Sequence, residues 1–275
     1  MTGRWLALCI CGISVACVGT TGSDLVEFDV YAAGPDGAQS HAPLTFTTRR
    51  NWDVSLTRAR LHIGAMYLNR ATPVSGAQST SCTLPGLYVA SIPGGLVSED
   101  QNHWTYVDAL DSTPQPFVVK GEGTADHASS AAIWLTGGDI NAEEDSTWIV
   151  DVAGTATTQS QSIPFEGHVT IGKNRALPAP DPAMPGANPI CRQRIVSPIA
   201  ANITPTIGGS LLLRVNPAGW FANVDFAALG TSPSNPSMYV FADDNSNQPS
   251  LNLYQTGLMA IEGVYTLAWV SKLAL

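Results

Sequence analysis

Apolar and polar positions alternate along much of the chain. Val26, Phe28 and Val30 stand between Glu27, Asp29 and Tyr31, which gives a strand over 25–31 one apolar and one polar face. Pro35-Asp36-Gly37 marks a turn, and Trp52 to Thr57 resumes the alternation with Trp52, Val54 and Leu56 on the apolar side. Around Thr57 to Ala59 the phase slips. The apolar set moves from even positions to Leu61, Ile63, Ala65 and Tyr67, as a bulge, a bend or a crossing between sheets would cause. Shorter strands are expected over 87–92, 104–107, 117–119 and 132–135. A hairpin is expected with arms 147–157 and 162–171, whose apolar sets are Trp148, Val150, Val152 and Phe165, Val169, Ile171. Further strands are expected over 195–203, 211–215, 220–226, 239–242 and 264–270. One short helix is expected between Pro249 and Ile261, capped by Ser250 or Asn247, with Gly263 past its end.

So many short strands at this spacing predict an all-β fold, a two-sheet antiparallel sandwich with one short C-terminal helix. With 25 Gly and 19 Pro, turns are plentiful, and 44% apolar against 13% charged residues is enough to build a core. The proline-rich stretch 173–189 reads as an irregular crossing, so 25–275 is taken as a single domain.

The first residues assign the compartment. Arg4 supplies a positive charge, Trp5 to Ala16 are apolar or small, and Ser14-Val15-Ala16 suits a signal peptidase, so 1–16 is expected to be a cleaved signal peptide. An apolar core of that length spans about 18 Å as a helix, short of the roughly 30 Å of a bilayer. Cys17 follows at the place where a bacterial lipobox carries its lipidated cysteine, although Ser14 stands where leucine is usual, so ordinary cleavage stays open. The small polar run 17–24 suits a flexible tether. These features predict an exported protein held to the outer membrane by lipid, or released into the periplasm or beyond. Losing Arg4 takes the net charge from −9 to about −10, which argues against a nucleic-acid partner. Arg49, Arg50, Arg58 and Arg60 read as a solvated strand face.

Cys9 and Cys11 leave with the signal and Cys17 takes lipid, so Cys82 and Cys191 remain as an even pair. In an oxidising compartment they form a disulfide or stay as two buried thiols. Closing a loop of about a hundred residues would contribute on the order of 4 to 5 kcal/mol in the chain-entropy treatment.

Two metal readings are open. His62 and Met66 fall on the face opposite Leu61 and Ile63, an imidazole and thioether set that suits copper. Asp243, Asn245 and Asn247 occupy the first, third and fifth positions of a calcium-type loop, but Gln248 replaces the glycine and Tyr254 the acidic residue that an EF-hand needs. The acidic run 139–145 offers a second loop of that kind. The bland alternatives are packing for Met66 and helix-capping turn chemistry for the loop. No Gly-x-Ser-x-Gly element is present, and no catalytic residue is assigned. The tryptophans left after signal removal mostly fall in apolar alternation, which favours core packing over a sugar platform.

The segments Trp52-Asp53-Val54-Ser55-Leu56-Thr57-Arg58-Ala59-Arg60-Leu61-His62-Ile63-Gly64-Ala65-Met66-Tyr67-Leu68 and Gly219-Trp220-Phe221-Ala222-Asn223-Val224-Asp225-Phe226 resemble uncharacterised exported lipoproteins of myxobacteria and related bacteria. The resemblance implies export and a β-rich fold, and brings no activity with it. The strand order is faintly similar to that of periplasmic copper-binding proteins, but their Met-rich and His-rich clusters are missing. The expected function is a non-enzymatic envelope lipoprotein with a binding or structural role toward an envelope protein or polysaccharide. The alternatives are a copper or calcium binding protein and a hydrolase of envelope or extracellular polymers.

Overall fold

Alternation builds the sandwich, and the two places where it slips give the sandwich its shape. The computed structural model describes residues 25–71, 88–92, 106–135, 145–171, 195–241, 248–271 and 273. The signal and tether, Cys17, Cys82, Cys191, Trp104, the loop holding Asp243, Asn245 and Asn247, the acidic run up to Glu144 and the proline-rich crossing lie outside the described residues.

The chain weaves between two sheets. β1 (Leu25–Ala33) lies in the larger sheet, then β2 (Leu44–Thr47) and β3 (Asp53–His62) in the smaller. β4 (Ala65–Asn69) and β5 (Tyr88–Ile92) return to the larger, β6 (Tyr106–Asp108) joins the smaller, and β7 (Gln115–Pro116), β8 (Gly121–Thr124) and β9 (Ala128–Trp134) are again in the larger. The hairpin β10 (Asp145–Thr157) and β11 (Ser162–Ile171) belongs to the smaller, β12 (Ile195–Ile203) and β13 (Ser210–Val215) to the larger. β14 (Gly230–Thr231) and β15 (Tyr239–Phe241) belong to the smaller, and β16 (Tyr265–Val270) to the larger. The nine-stranded sheet runs β12-β9-β4-β5-β8-β1-β13-β16 with β7 beside β1, and the seven-stranded sheet runs β14-β15-β11-β10-β3-β2 with β6 beside β3. The all-β sandwich expected from the sequence is what forms. Its pairing is antiparallel except at β1 with β13 and β11 with β15, which are parallel.

The slip near Thr57 is a bulge. Leu56 pairs with Gly154 and Arg58 with Ala153, so Thr57 is the extra residue. The bulge brings the two backbones so close that a Cβ on Gly154 would sit 2.4 Å from the Ser55 carbonyl oxygen, which only glycine avoids. A second slip comes at Ile63-Gly64, where the chain leaves the smaller sheet and enters the larger. Beyond it Met66 and Leu68 face the core, whereas Ala65 and Tyr67 join Ala132 and Trp134 in a separate cluster on the outer side. The expectation that Ala65 and Tyr67 continue the inward set of Leu61 and Ile63 is thereby corrected: changing sheets resets the phase.

One core lies between the sheets and draws Phe28, Leu56, Met66, Ile133, Phe165 and Leu213 from both. Phe165, Phe221, Phe226 and Phe241 pack with ring centroids 5.0 to 6.1 Å apart, pairs each contributing about 0.5 to 1.5 kcal/mol beyond their burial. The strand expected over 220–226 is replaced by two 3-10 turns, Pro217–Phe221 and Phe226–Ala228. Asn216 and Asp225 cap them by accepting from the N–H groups of Ala218 and Ala227, and Pro217 presets the first turn. The expected helix forms as α1 (Gln248–Asn252) and continues as a π turn over Leu253–Leu258. Ser250 is fully buried inside α1 and is not its cap. Gly257 packs on Trp220 so tightly that a Cβ would meet the Trp220 carbonyl oxygen at 2.1 Å.

Candidate functional site

The outer face of the smaller sheet carries a grouping of polar and aromatic side chains: Arg58, Arg60, Tyr106, Trp148, Asp151, Glu166 and His168. Its positions follow from period-2 geometry: with Leu61, Val107, Val150, Val152 and Val169 turned to the core, the residues between them must face outward. Register then lines up one row, because Asp151 lies opposite both Arg60 and His168, and Arg60 lies opposite Asp108. In the neighbouring row Arg58, Ala153 and Glu166 are opposite one another. Ala153 is short, so the Arg58 side chain can reach past it to the next strand.

Arg58 ties the patch together. Its Nε donates to Asp151 Oδ1 at 2.9 Å and is equally close to Oδ2, and its Nη2 stands 4.0 Å from Glu166 Oε2. The Asp151 side chain is only 12% exposed, so a carboxylate largely withdrawn from water depends on that guanidinium. Arg60 is exposed and makes no ion pair among the described residues. Tyr106, on β6 opposite His62, has its hydroxyl ionisation pushed up by burial first and by the Asp151 charge second, with Arg60 acting the other way. His62 meets the Tyr106 ring edge-on at 5.9 Å. Gln115 fixes β6 by accepting from the Asp108 N–H and donating to the Asp108 carbonyl, both at 2.9 Å.

Beside these charges stands a flat aromatic surface. Trp148 stacks on His168 with ring centroids 4.1 Å apart and planes 13° from parallel, and it is 44% exposed. By alternation Trp148 was expected to point inward with Val150 and Val152. The pairing of β10 with β11 shifts on either side of Trp148, so Ile149 takes the buried position and the indole turns outward. Trp52, Trp134 and Trp220 are buried as expected. The patch can grip a ligand by stacking on the indole and bonding to the charges beside it.

The copper pairing fails on geometry. His62 ends β3 on the outer side of the smaller sheet, and Met66 is sealed in the core on β4 of the larger sheet, so the crossing at Ile63-Gly64 puts them in different layers. Met66 serves packing. Among the described residues no three His, Cys, Asp or Glu side chains converge as a metal-binding group. Arg58 and Arg60 do lie on an outer strand face, as expected, but Arg58 is engaged in ion pairs across three strands. Asp151, Glu166, His168 and Tyr106 were not singled out in the sequence. For Asp151, Glu166 and His168 the signal was there, since each falls on the polar phase of a hairpin arm whose apolar phase was recognised, whereas Tyr106 lies in an expected strand, 104–107, whose faces were not read.

No described helix is long and apolar enough to cross a membrane. No family model, curated protein or solved structure matches the chain.

Proposed function

We propose that this chain is an exported, non-enzymatic binding module of the cell envelope that holds a polysaccharide on the outer face of its smaller sheet. The observation that carries the proposal is the exposed, stacked Trp148 next to the Arg58, Asp151 and Glu166 charges. An indole offers a flat apolar surface to the C–H face of a sugar ring, and neighbouring ionic groups bond to its hydroxyls. An open sheet face suits a polymer, which spreads its contacts, better than a lone small molecule, which needs a concave pocket. The leader over 1–16 and the lipobox-like Cys17 support attachment to the membrane by lipid, with a soluble periplasmic or secreted form as the other outcome of processing. Cys82 and Cys191 would close a disulfide in that compartment.

Sedimentation of the purified protein with insoluble envelope and extracellular polysaccharides tests the proposal. The wild type is expected to pellet with at least one of them, and Trp148→Ala to stay in solution with its melting temperature unchanged. Equal pelleting of the two proteins, or none by the wild type on any polymer, would remove the polysaccharide reading. Intact mass of membrane-extracted protein checks the anchor: a diacyl or triacyl increment on Cys17 is expected, and an unmodified cysteine would move the protein to the soluble form.

A further inference from the structure

A cleft of about 600 Å³ opens at the margin of the sandwich and shares no residue with the Arg58 patch. One wall is the run Phe46, Thr47, Thr48 and Arg49 at the end of β2, and the facing wall is Ala260 to Val264, just after the π turn. Phe46 and Thr47 are successive strand residues that point to opposite faces, so both border the cleft only if it lies at the strand's backbone edge, and Thr48 and Arg49 follow in the turn after β2. β2 ends the smaller sheet, and its outer edge is unpaired among the described residues. On the other wall the main chain of Ile261 and Glu262 makes no hydrogen bond among the described residues. Both walls thus offer main-chain donors and acceptors.

The walls are held in place before anything binds. Thr48 Oγ1 accepts from the N–H groups of Arg50 and Trp52 at 3.3 and 3.2 Å, and Asn51 takes a left-handed φ of 59°, which fixes the turn that carries Arg49. Asn216 donates from its backbone to Val264 at 2.8 Å and from its side chain to Gly263 at 3.3 Å. Arg49 and Glu262 both line the cleft, both are exposed, and neither forms an ion pair among the described residues, whereas the neighbouring Arg50 reaches Asp225 at 3.6 Å. Two opposite charges in one cleft that do not neutralise each other fit a ligand that carries both signs.

We propose that this cleft binds a short peptide in extended form, adding it as a strand to the free edge of β2, with its terminal carboxylate on Arg49 and its terminal ammonium on Glu262. An edge strand recruits an extended chain through main-chain hydrogen bonds; Phe46 and Thr47 are the residues of β2 that border the cleft, and a peptide of about four residues, at about 3.3 Å per residue, extends about 13 Å. A purely anionic ligand would meet Glu262, and a purely apolar one would strand both charges.

The test uses the purified protein and a pool of soluble tetrapeptides with free ends, read by calorimetry and by backbone amide shifts. Saturable binding is expected, with shifts confined to β2 and to Ile261–Gly263. Arg49→Ala and Glu262→Ala, both at exposed positions, are each expected to weaken binding about tenfold without changing the melting temperature. Trp148→Ala is expected to leave peptide binding intact, which separates this site from the polysaccharide surface. Any of four results would overturn the proposal: no amide shift at millimolar peptide, equal binding of the same pool with acetylated and amidated ends, single amino acids binding as tightly as tetrapeptides, or the same amides shifting with protein concentration alone as a dimer forms, which would make a second copy the occupant of the edge.

Discussion

The hydroxyl of Tyr265 is sealed in the core and donates to the Leu258 carbonyl at 2.9 Å. Burial first, and the neighbouring Tyr254 second, push its ionisation well above the ordinary tyrosine value of 10.0. Because the folded value is the raised one, the contribution of this group to stability is complete below about pH 10 and is lost as the pH climbs from there toward the folded value. Tyr265→Phe should therefore cost about 1 kcal/mol at neutral pH, the worth of the lost hydrogen bond, and should flatten the alkaline fall in stability. Urea unfolding at neutral pH and at about pH 11 checks both, and an unchanged alkaline slope would assign it to other groups. Arg58 supports a second prediction. Replacing it with Met leaves the mostly buried Asp151 carboxylate without its cation, at a cost of about 1 to 3 kcal/mol. Arg60→Met, at an exposed position with no ion pair among the described residues, should stay within about 0.5 kcal/mol of the wild type.

Strands, and the places where they break, explain both what could be read from sequence and what could not. Thr57 is the extra residue of the β3 bulge, so deleting it should let Leu56 and Arg58 follow each other in ordinary alternation, with every later residue keeping its face. Deleting Ser55 instead puts Leu56, which has no exposure, on the wet face or drags the strand out of register. Thermal unfolding should show the Thr57 deletion folded and modestly destabilised and the Ser55 deletion severely so; comparable losses would mean that the bulge does not set the phase. The phase slip at 57–59 was legible because a bulge changes which positions are apolar. The crossing at Ile63-Gly64 was harder, since Ala65 and Tyr67 are apolar on the outer side as well, and continuous alternation disguises a change of sheet. The same blindness paired His62 with Met66. Trp148 was misread because a shift in pairing leaves no mark on the alternation of Trp148, Val150 and Val152. The strand β2 escaped because Leu44 to Thr47 is short and half exposed, as an edge strand is. The segment 220–226 looked strand-like by its aromatic content, and only the capping roles of Asn216 and Asp225 distinguish it.

At the scale of the molecule, the weaving of the chain has a consequence for folding. Sequence neighbours are repeatedly assigned to opposite sheets, and the residues of both sheets that face inward form one continuous cluster. No contiguous stretch of the described residues owns a complete core, so a strand that contributes to it cannot be removed without exposing apolar surface that its partners rely on. β16 is the sharpest case: among the described residues it pairs only with β13, at the end of the larger sheet, yet it places Tyr265 in the core beside Val264. A chain ending before Val264 should therefore lose near-ultraviolet circular dichroism throughout instead of losing one edge. For the intact chain, unfolding followed by tryptophan fluorescence and by far-ultraviolet circular dichroism should coincide in a single transition, with equal calorimetric and van't Hoff enthalpies. A truncated chain that kept most of its near-ultraviolet signal, or two separated transitions in the intact protein, would show that the sheets carry separable cores and that 25–275 is not one cooperative domain. Pairing between strands far apart in sequence also places refolding at milliseconds or slower, because loop closure must precede the contacts that stabilise it.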